Sequence, residues 1–199
     1  MTERARRTLL RGPPFPKDYT MTDHKIWDPF VRAFHWSVAA GFLANALLTE
    51  DDSKLHEWVG YAVLILLGLR ILWGFIGPKS ARFSSFWPTR TGVTEQLSDL
   101  ATRRRKAHLG HTPLGALMIF NLLLSLLAIG LTGWMMTTNT FWGVDWVEEA
   151  HEALVIWAEI SVVLHVAAVI WESWRTGVNL PQAMVTGTKR VPDDVKLVP

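Results

Sequence analysis

The sequence predicts an all-α integral membrane protein, a four-helix bundle with its N- and C-termini in the cytoplasm. Three observations predict it. Four apolar stretches are each long enough to cross a bilayer, and the connections between them alternate between basic and acidic. A chain of 199 residues also has too little outer layer to bury four such stretches in a soluble core. Bulk composition alone does not decide: 49% hydrophobic residues and a mean hydropathy of +0.17 are high for a soluble domain and mild for a membrane protein.

Taken in order, residues 1–29 carry Pro13, Pro14, Pro16 and Pro29 and read as an irregular cytoplasmic arm. Their basic start is followed by proline and charge where a signal peptide would turn apolar, so no signal peptide is expected. The membrane domain covers residues 30–175, with spans at about 30–48, 56–75, 113–136 and 150–174. Each is about 20–25 residues long, and a rise of ~1.5 Å per residue carries it across a hydrocarbon core of ~30 Å. "VGYAVLILLGLRILWGFIG" and "LGALMIFNLLLSLLAIGLTGWM" are too evenly apolar for a soluble amphipathic helix. Between the second and third spans, "GVTEQLSDLATRRRKA" sets Val93, Leu97 and Leu100 at i, i+4 and i+7. That spacing suggests a short helix, lying on the lipid surface or exposed in the loop. Residues 176–199 form a cytoplasmic tail.

Charge orients the bundle. Lysine and arginine crowd the arm (Arg4, Arg6, Arg7, Arg11, Lys17), the long loop (Arg103, Arg104, Arg105, Lys106) and the tail (Lys189, Arg190, Lys196). "TEDDSK" and "NTFWGVDWVEEA", the two opposite connections, hold one lysine and are otherwise acidic. The positive-inside rule then puts both termini and the long loop in the cytoplasm of a bacterial inner membrane. The pI of about 9.1 reflects that one face and is not a nucleic-acid footprint. Tryptophans such as Trp27, Trp58, Trp73, Trp134 and Trp171 fall near span ends, as an aromatic belt in contact with lipid requires. The chain has no cysteine, which excludes disulfides, Cys-ligated clusters and covalent haem attachment.

Of the seven histidines, four fall within the spans. His35 enters the first span from the cytoplasmic side and His56 opens the second from the outside. His151 lies near the outer end of the fourth span, and His165 follows it by 14 residues, ~21 Å deeper along the axis. Fourteen residues are close to four turns, so both project from one helix face. The histidines thus pair by depth, His56 with His151 outside and His35 with His165 inside. Two bis-histidine haems stacked in a bundle need this arrangement, since haem iron takes axial nitrogens from opposite sides. With both axial positions filled, the chemistry is electron transfer, with no catalytic residue assigned. Gly41 and Gly60, near the ligands, are candidates for making room for a macrocycle.

Competing readings are weaker. Ionisable groups at membrane depth are costly, so four in matched pairs are poorly explained as packing. A single tetrahedral zinc site cannot use histidines ~21 Å apart, and two histidines alone are too few for zinc. A haem-free transporter or proton-conducting bundle is the functional rival, with Glu159, between His151 and His165, as its only comparably placed acid.

The chain resembles the bacterial cytochrome b561 family, which includes the b-type cytochrome subunits of nickel–iron hydrogenases. The resemblance covers about residues 27–176 and rests on "PFVRAFHW", "LHEWVGYAVLILLGLRILWGF", "HLGHTPLGALMIFNLLLSLLAIGLTG" and "HEALVIWAEISVVLHVAA". It implies four helices, two non-covalent haems b, and iron ligation by His35, His56, His151 and His165. It further implies respiratory-chain electron transport between the quinone pool and a redox partner, and possible quinone oxidoreductase activity as a homodimer. The short connection from Thr137 to Glu149 lacks a large docking loop for a hydrogenase, and a soluble periplasmic cytochrome c fits at least as well.

Two subsidiary sites follow. Haem propionates prefer cationic neighbours, for which Arg32 and Arg70 are candidates at the inner depth and Lys54 at the outer. Quinone chemistry moves protons too, which points to His108 and His111 in "RRRKAHLGHTPLG", with Glu159 as a further candidate. An external alternative lies near Trp142, Asp145 and Trp146.

Overall fold

The computed structural model describes residues 20–102, 104, 106–193 and 195–198. The basic residues of the arm up to Lys17, and Arg103 and Arg105 of the loop, lie outside them. In chain order the elements are β1 (Met21–Lys25), α1 (Pro29–Leu47), α2 (Lys54–Ile76), α3 (Arg90–Ala101), β2 (Lys106–His108), α4 (Pro113–Met136), α5 (Asp145–Thr176), α6 (Leu180–Thr186), β3 (Thr188–Pro192) and β4 (Lys196–Val198).

The expected spans correspond to α1, α2, α4 and α5, but the four-helix description is corrected to six helices among the described residues. One addition is α3, at the segment marked by Val93, Leu97 and Leu100; its Gln96 is buried, while Leu97 is 50% exposed. The other is the single two-turn helix α6, too short to show an apolar period. By length and composition α2, α4 and α5 are apolar enough to cross a membrane; α1 is not among them. Arg32, His35, Ser37 and Asn45 dilute its apolar character.

Local signals set the helix starts. Asp28 accepts a hydrogen bond from Val31 N ahead of Pro29, Ser53 from His56 N, and Thr112 from Gly115 N ahead of Pro113. The long helices run antiparallel, packing α1 on α2, α2 on α4 and α4 on α5. Close approach is bought by glycine: a Cβ on Gly41 would lie 2.8 Å from Val63 Cγ2, and one on Gly130 2.8 Å from Leu64 Cδ1. Asn121 of α4 donates to Ser161 Oγ of α5 at 2.9 Å and accepts from Trp157 Nε1 at 3.0 Å. Small or modest side chains such as Ala116, Ser125, Val147 and Ala158 are buried between helices. Ile65, Phe75, Leu124, Ile156 and Val163 are exposed. An apolar exterior around a thin core suits a lipid solvent.

At one end, called near below, lie the start of α1, the end of α2, the start of α4 and the end of α5. Here β1 pairs antiparallel with β3, and β2 parallel with β4. Neither pairing is foreseen in the sequence, because each joins segments far apart in the chain. Lys189 of β3, only 3% exposed, donates to the carbonyls of His108, Leu109 and Gly110 at 2.8, 3.1 and 3.1 Å. Ile26 N and Trp27 N donate to Gly187 O, and Arg32 to Val185 O at the end of α6.

Candidate functional site

Two pairs of histidine rings face one another inside the bundle. His35 of α1 and His165 of α5 have ring centroids 6.4 Å apart with planes at 54°. At the far end His56 of α2 and His151 of α5 stand at 6.5 Å and 61°. The depth argument thus names the residues that come together. The helices are placed for it: Ser53 starts α2 so that His56 sits in its first turn, and α5 is long enough to carry a histidine at each depth. Among the described residues α5 does not pack its backbone along α1 as it packs on α4, so side chains bridge that side of the bundle.

The chemistry of this donor set can be tested against a haem. Two metal–imidazole bonds of about 2 Å each, with about 1 Å from each nitrogen to its ring centre, put opposed ring centroids roughly 6 Å apart. Both pairs match that separation. No three His, Cys, Asp or Glu side chains converge on a metal position among the described residues. The pairs therefore suit a metal whose remaining ligands come from a macrocycle, and they do not suit a bare structural ion. His35 also keeps Nδ1 buried without a hydrogen bond.

Five buried side-chain polar atoms among the described residues have no hydrogen-bond partner: Asp28 Oδ2, Arg32 Nε, His35 Nδ1, Arg70 Nη1 and Trp73 Nε1. All lie near the start of α1 or the end of α2, at the depth of the His35–His165 pair. Buried groups of this kind are rare and costly, and three of these atoms are obligate donors. The cluster suits an anionic ligand oxygen. Arg70, 4% exposed, donates through Nη2 to Ala81 O at 3.2 Å and lies 4.8 Å over the Phe83 ring. Trp73 and Asp28 are residues that sequence reasoning missed; Trp73 stands one turn past Arg70, a spacing that was open to view.

Other candidates fall elsewhere. Gly41 does not face a ring: Val63 fills the space above it, so it serves the α1–α2 contact. Gly60 faces Asn45, whose Nδ2 would stand 3.8 Å from an added Cβ. Lys54 is engaged with Glu57 at 2.8 Å on the surface. Glu159 is exposed on α5. His108 is half-buried on β2. His111 is half-buried, with ring centroids 4.6 Å from Trp27 and 4.3 Å from Phe86. Burial, with Lys189 and Arg70 nearby, pushes its pKa down to about 3. The ring is therefore neutral at physiological pH. Trp142 and Trp146, of the external alternative, are exposed beyond α4 and at the start of α5.

A family model described as prokaryotic cytochrome b561 matches residues 26–187. The chain belongs to that family. No curated protein and no solved structure matches it. The match runs from just before α1 to the end of α6 and takes in all four paired histidines of this cytochrome b561 family member. Membership and the long apolar helices together make it a multi-pass membrane protein of electron transfer.

Proposed function

We propose that the protein is a di-haem b-type cytochrome of the bacterial inner membrane, passing electrons between the quinone pool and a redox partner such as a soluble cytochrome c. The observation that carries this reading is the presence of two opposed histidine pairs, at 6.4 and 6.5 Å, at two depths of one bundle. His35 and His165 would hold one haem b and His56 and His151 the other, with near end and both termini in the cytoplasm as the charge pattern indicates. Haem b, when bound, supplies one-electron carriers without an open coordination site.

The chain's own residues set the conditions for those carriers. Arg32, Arg70 and Trp73 offer unpaired donors to propionate oxygens at the inner depth, and the positive charge of the two arginines favours the reduced, less positive haem. The apolar exterior keeps the bundle interior dry. Quinone exchange is assigned to the cytoplasmic side, near His108 of β2 and His111 just ahead of α4.

The test is optical. The purified protein should show the reduced alpha band of low-spin haem b, with two haems per chain. His56→Ala should lose one of the two and leave the spectrum of the other. A colourless wild-type protein, or a His56→Ala protein that retains both haems, would sink the proposal. His108→Ala should keep both haems and slow their reduction by a quinol analogue many-fold. Wild-type kinetics would move the quinone site to the outer loop around Trp142, Asp145 and Trp146.

A further inference from the structure

The two histidine pairs differ in what lies behind their rings. At the far end Thr132 Oγ1 is 2.9 Å from His151 Nδ1, and Thr49 Oγ1 is 3.2 Å from His56 Nδ1. A threonine hydroxyl has one proton to give, and both of these have a backbone carbonyl to take it. Thr132 Oγ1 lies 2.9 Å from Ala128 O and 3.0 Å from Ile129 O, and Thr49 Oγ1 lies 3.1 Å from Asn45 O. With that proton committed to the main chain, each oxygen accepts from its histidine. The hydrogen between them therefore sits on Nδ1. Neutral imidazole carries a single N–H, so Nε2 of both rings is left as a lone pair.

Neighbouring residues hold this arrangement in place. Asn45, whose carbonyl receives the Thr49 proton, donates through Nδ2 to His56 O at 3.0 Å and ties the end of α1 to the start of α2. Gly133, next to Thr132, leaves room for the ring: a Cβ there would lie 3.2 Å from His151 Cε1. The near end has no counterpart behind His35, whose Nδ1 is buried without a hydrogen bond.

We infer that Thr49 and Thr132 are positioning residues for the far-end pair: they fix the Nδ1–H tautomer of His56 and His151 and leave both Nε2 atoms to ligate the metal. The inference rests on the di-haem reading above. Two threonines from different elements, one behind each ring of the same pair, do the same work. A hydrogen bond accepted from Nδ1–H raises the electron-donating power of the ligand, which favours the oxidised metal. Thr49 and Thr132 thus lower the potential of the far-end haem and leave that of the near-end haem alone.

The full-length protein carrying both haems tests this by redox titration, electron paramagnetic resonance and haem content. Thr132→Val, close in shape but without the hydroxyl, should raise the midpoint of one haem only and weaken that haem's retention by about 10- to 100-fold. Thr49→Val should act on the same haem, and Thr132→Ser should restore wild-type behaviour. If Thr132→Val fails to accumulate, Thr49→Val and Thr132→Ser carry the test. Wild-type midpoints and retention in the valine variants would overturn the threonine assignment. His151→Ala separates the two ideas: one haem lost keeps the di-haem reading, whereas unchanged haem content overturns that reading itself.

Discussion

At the scale of single residues, His111 shows how burial changes what a side chain can do. Between Trp27 and Phe86 the ring holds its pKa at about 3, against an ordinary 6.5. Below pH 6.5 the unfolded chain binds a proton that the folded site refuses, so stability falls as the pH drops toward 3. Above pH 6.5 both forms are neutral and the dependence vanishes. The slope within the window is at most about 1.4 kcal/mol per pH unit. Hydrogen exchange of residues 20–27 and 188–193 should therefore accelerate on acidification through that window. His111→Phe, which keeps the aromatic stack, should flatten the response; an unchanged pH profile in that variant would show that another group is responsible. Arg70 gives a second test at this scale. Arg70→Leu should lower the midpoint of the near-end haem, because a positive charge beside the haem favours its reduced form. An identical titration in the variant would leave Arg70 as a structural donor to Ala81 O alone.

At the scale of elements, helix contacts rest on glycine. Gly41→Leu should separate α1 from α2 at Val63 and lower the yield of assembled protein, whereas Gly60→Ala, with Asn45 Nδ2 at 3.8 Å, should be tolerated. Equal yields of the two variants in a membrane-extraction assay would contradict that distinction. The same elements mark what was legible in the sequence. Long apolar runs gave α2, α4 and α5, because hydropathy over twenty residues is a strong signal. The depths of His35, His56, His151 and His165 were legible because a helix rises by a fixed amount per residue. Rotation about each helix axis was not. Gly41 therefore looked available to a ring when it in fact meets Val63, and Thr49 and Thr132 gave no sign of pointing at imidazoles. The strands were illegible for another reason: β1 and β3 are individually short and polar, and only their long-range pairing defines them.

At the scale of the whole molecule, the two ends are unequal. The near end holds the unpaired donors of Arg32 and Arg70 at the depth of its histidine pair, and the far end sets a hydroxyl behind each ring. Both differences act in the same direction. Cations raise the potential of the near-end site, and hydrogen-bonded imidazoles lower that of the far-end site. Redox titration should therefore resolve two unequal waves, with the upper one shifted by Arg70→Leu and the lower one by Thr132→Val. A single wave, or both substitutions acting on the same wave, would contradict this assignment. The order favours electrons resting at the near end, a downhill path from the far-end site to the near-end site.

The β1–β3 seam also bears on how the molecule is made. Ribosomes deliver α1 first, and more than a hundred residues follow before β3 emerges. Until then nothing can pair with Met21–Lys25, no α6 carbonyl can receive Arg32, and Lys189 cannot gather the carbonyls ahead of α4. Loop closure over so long a stretch is entropically expensive, which makes this latch a late event. The helix bearing His35 is thus held at its base only when synthesis is nearly over. A ribosome stalled before Thr188 would present a bundle whose first helix packs on α2 but lacks the latch at its base, so the His35–His165 pair takes its final setting only as translation ends.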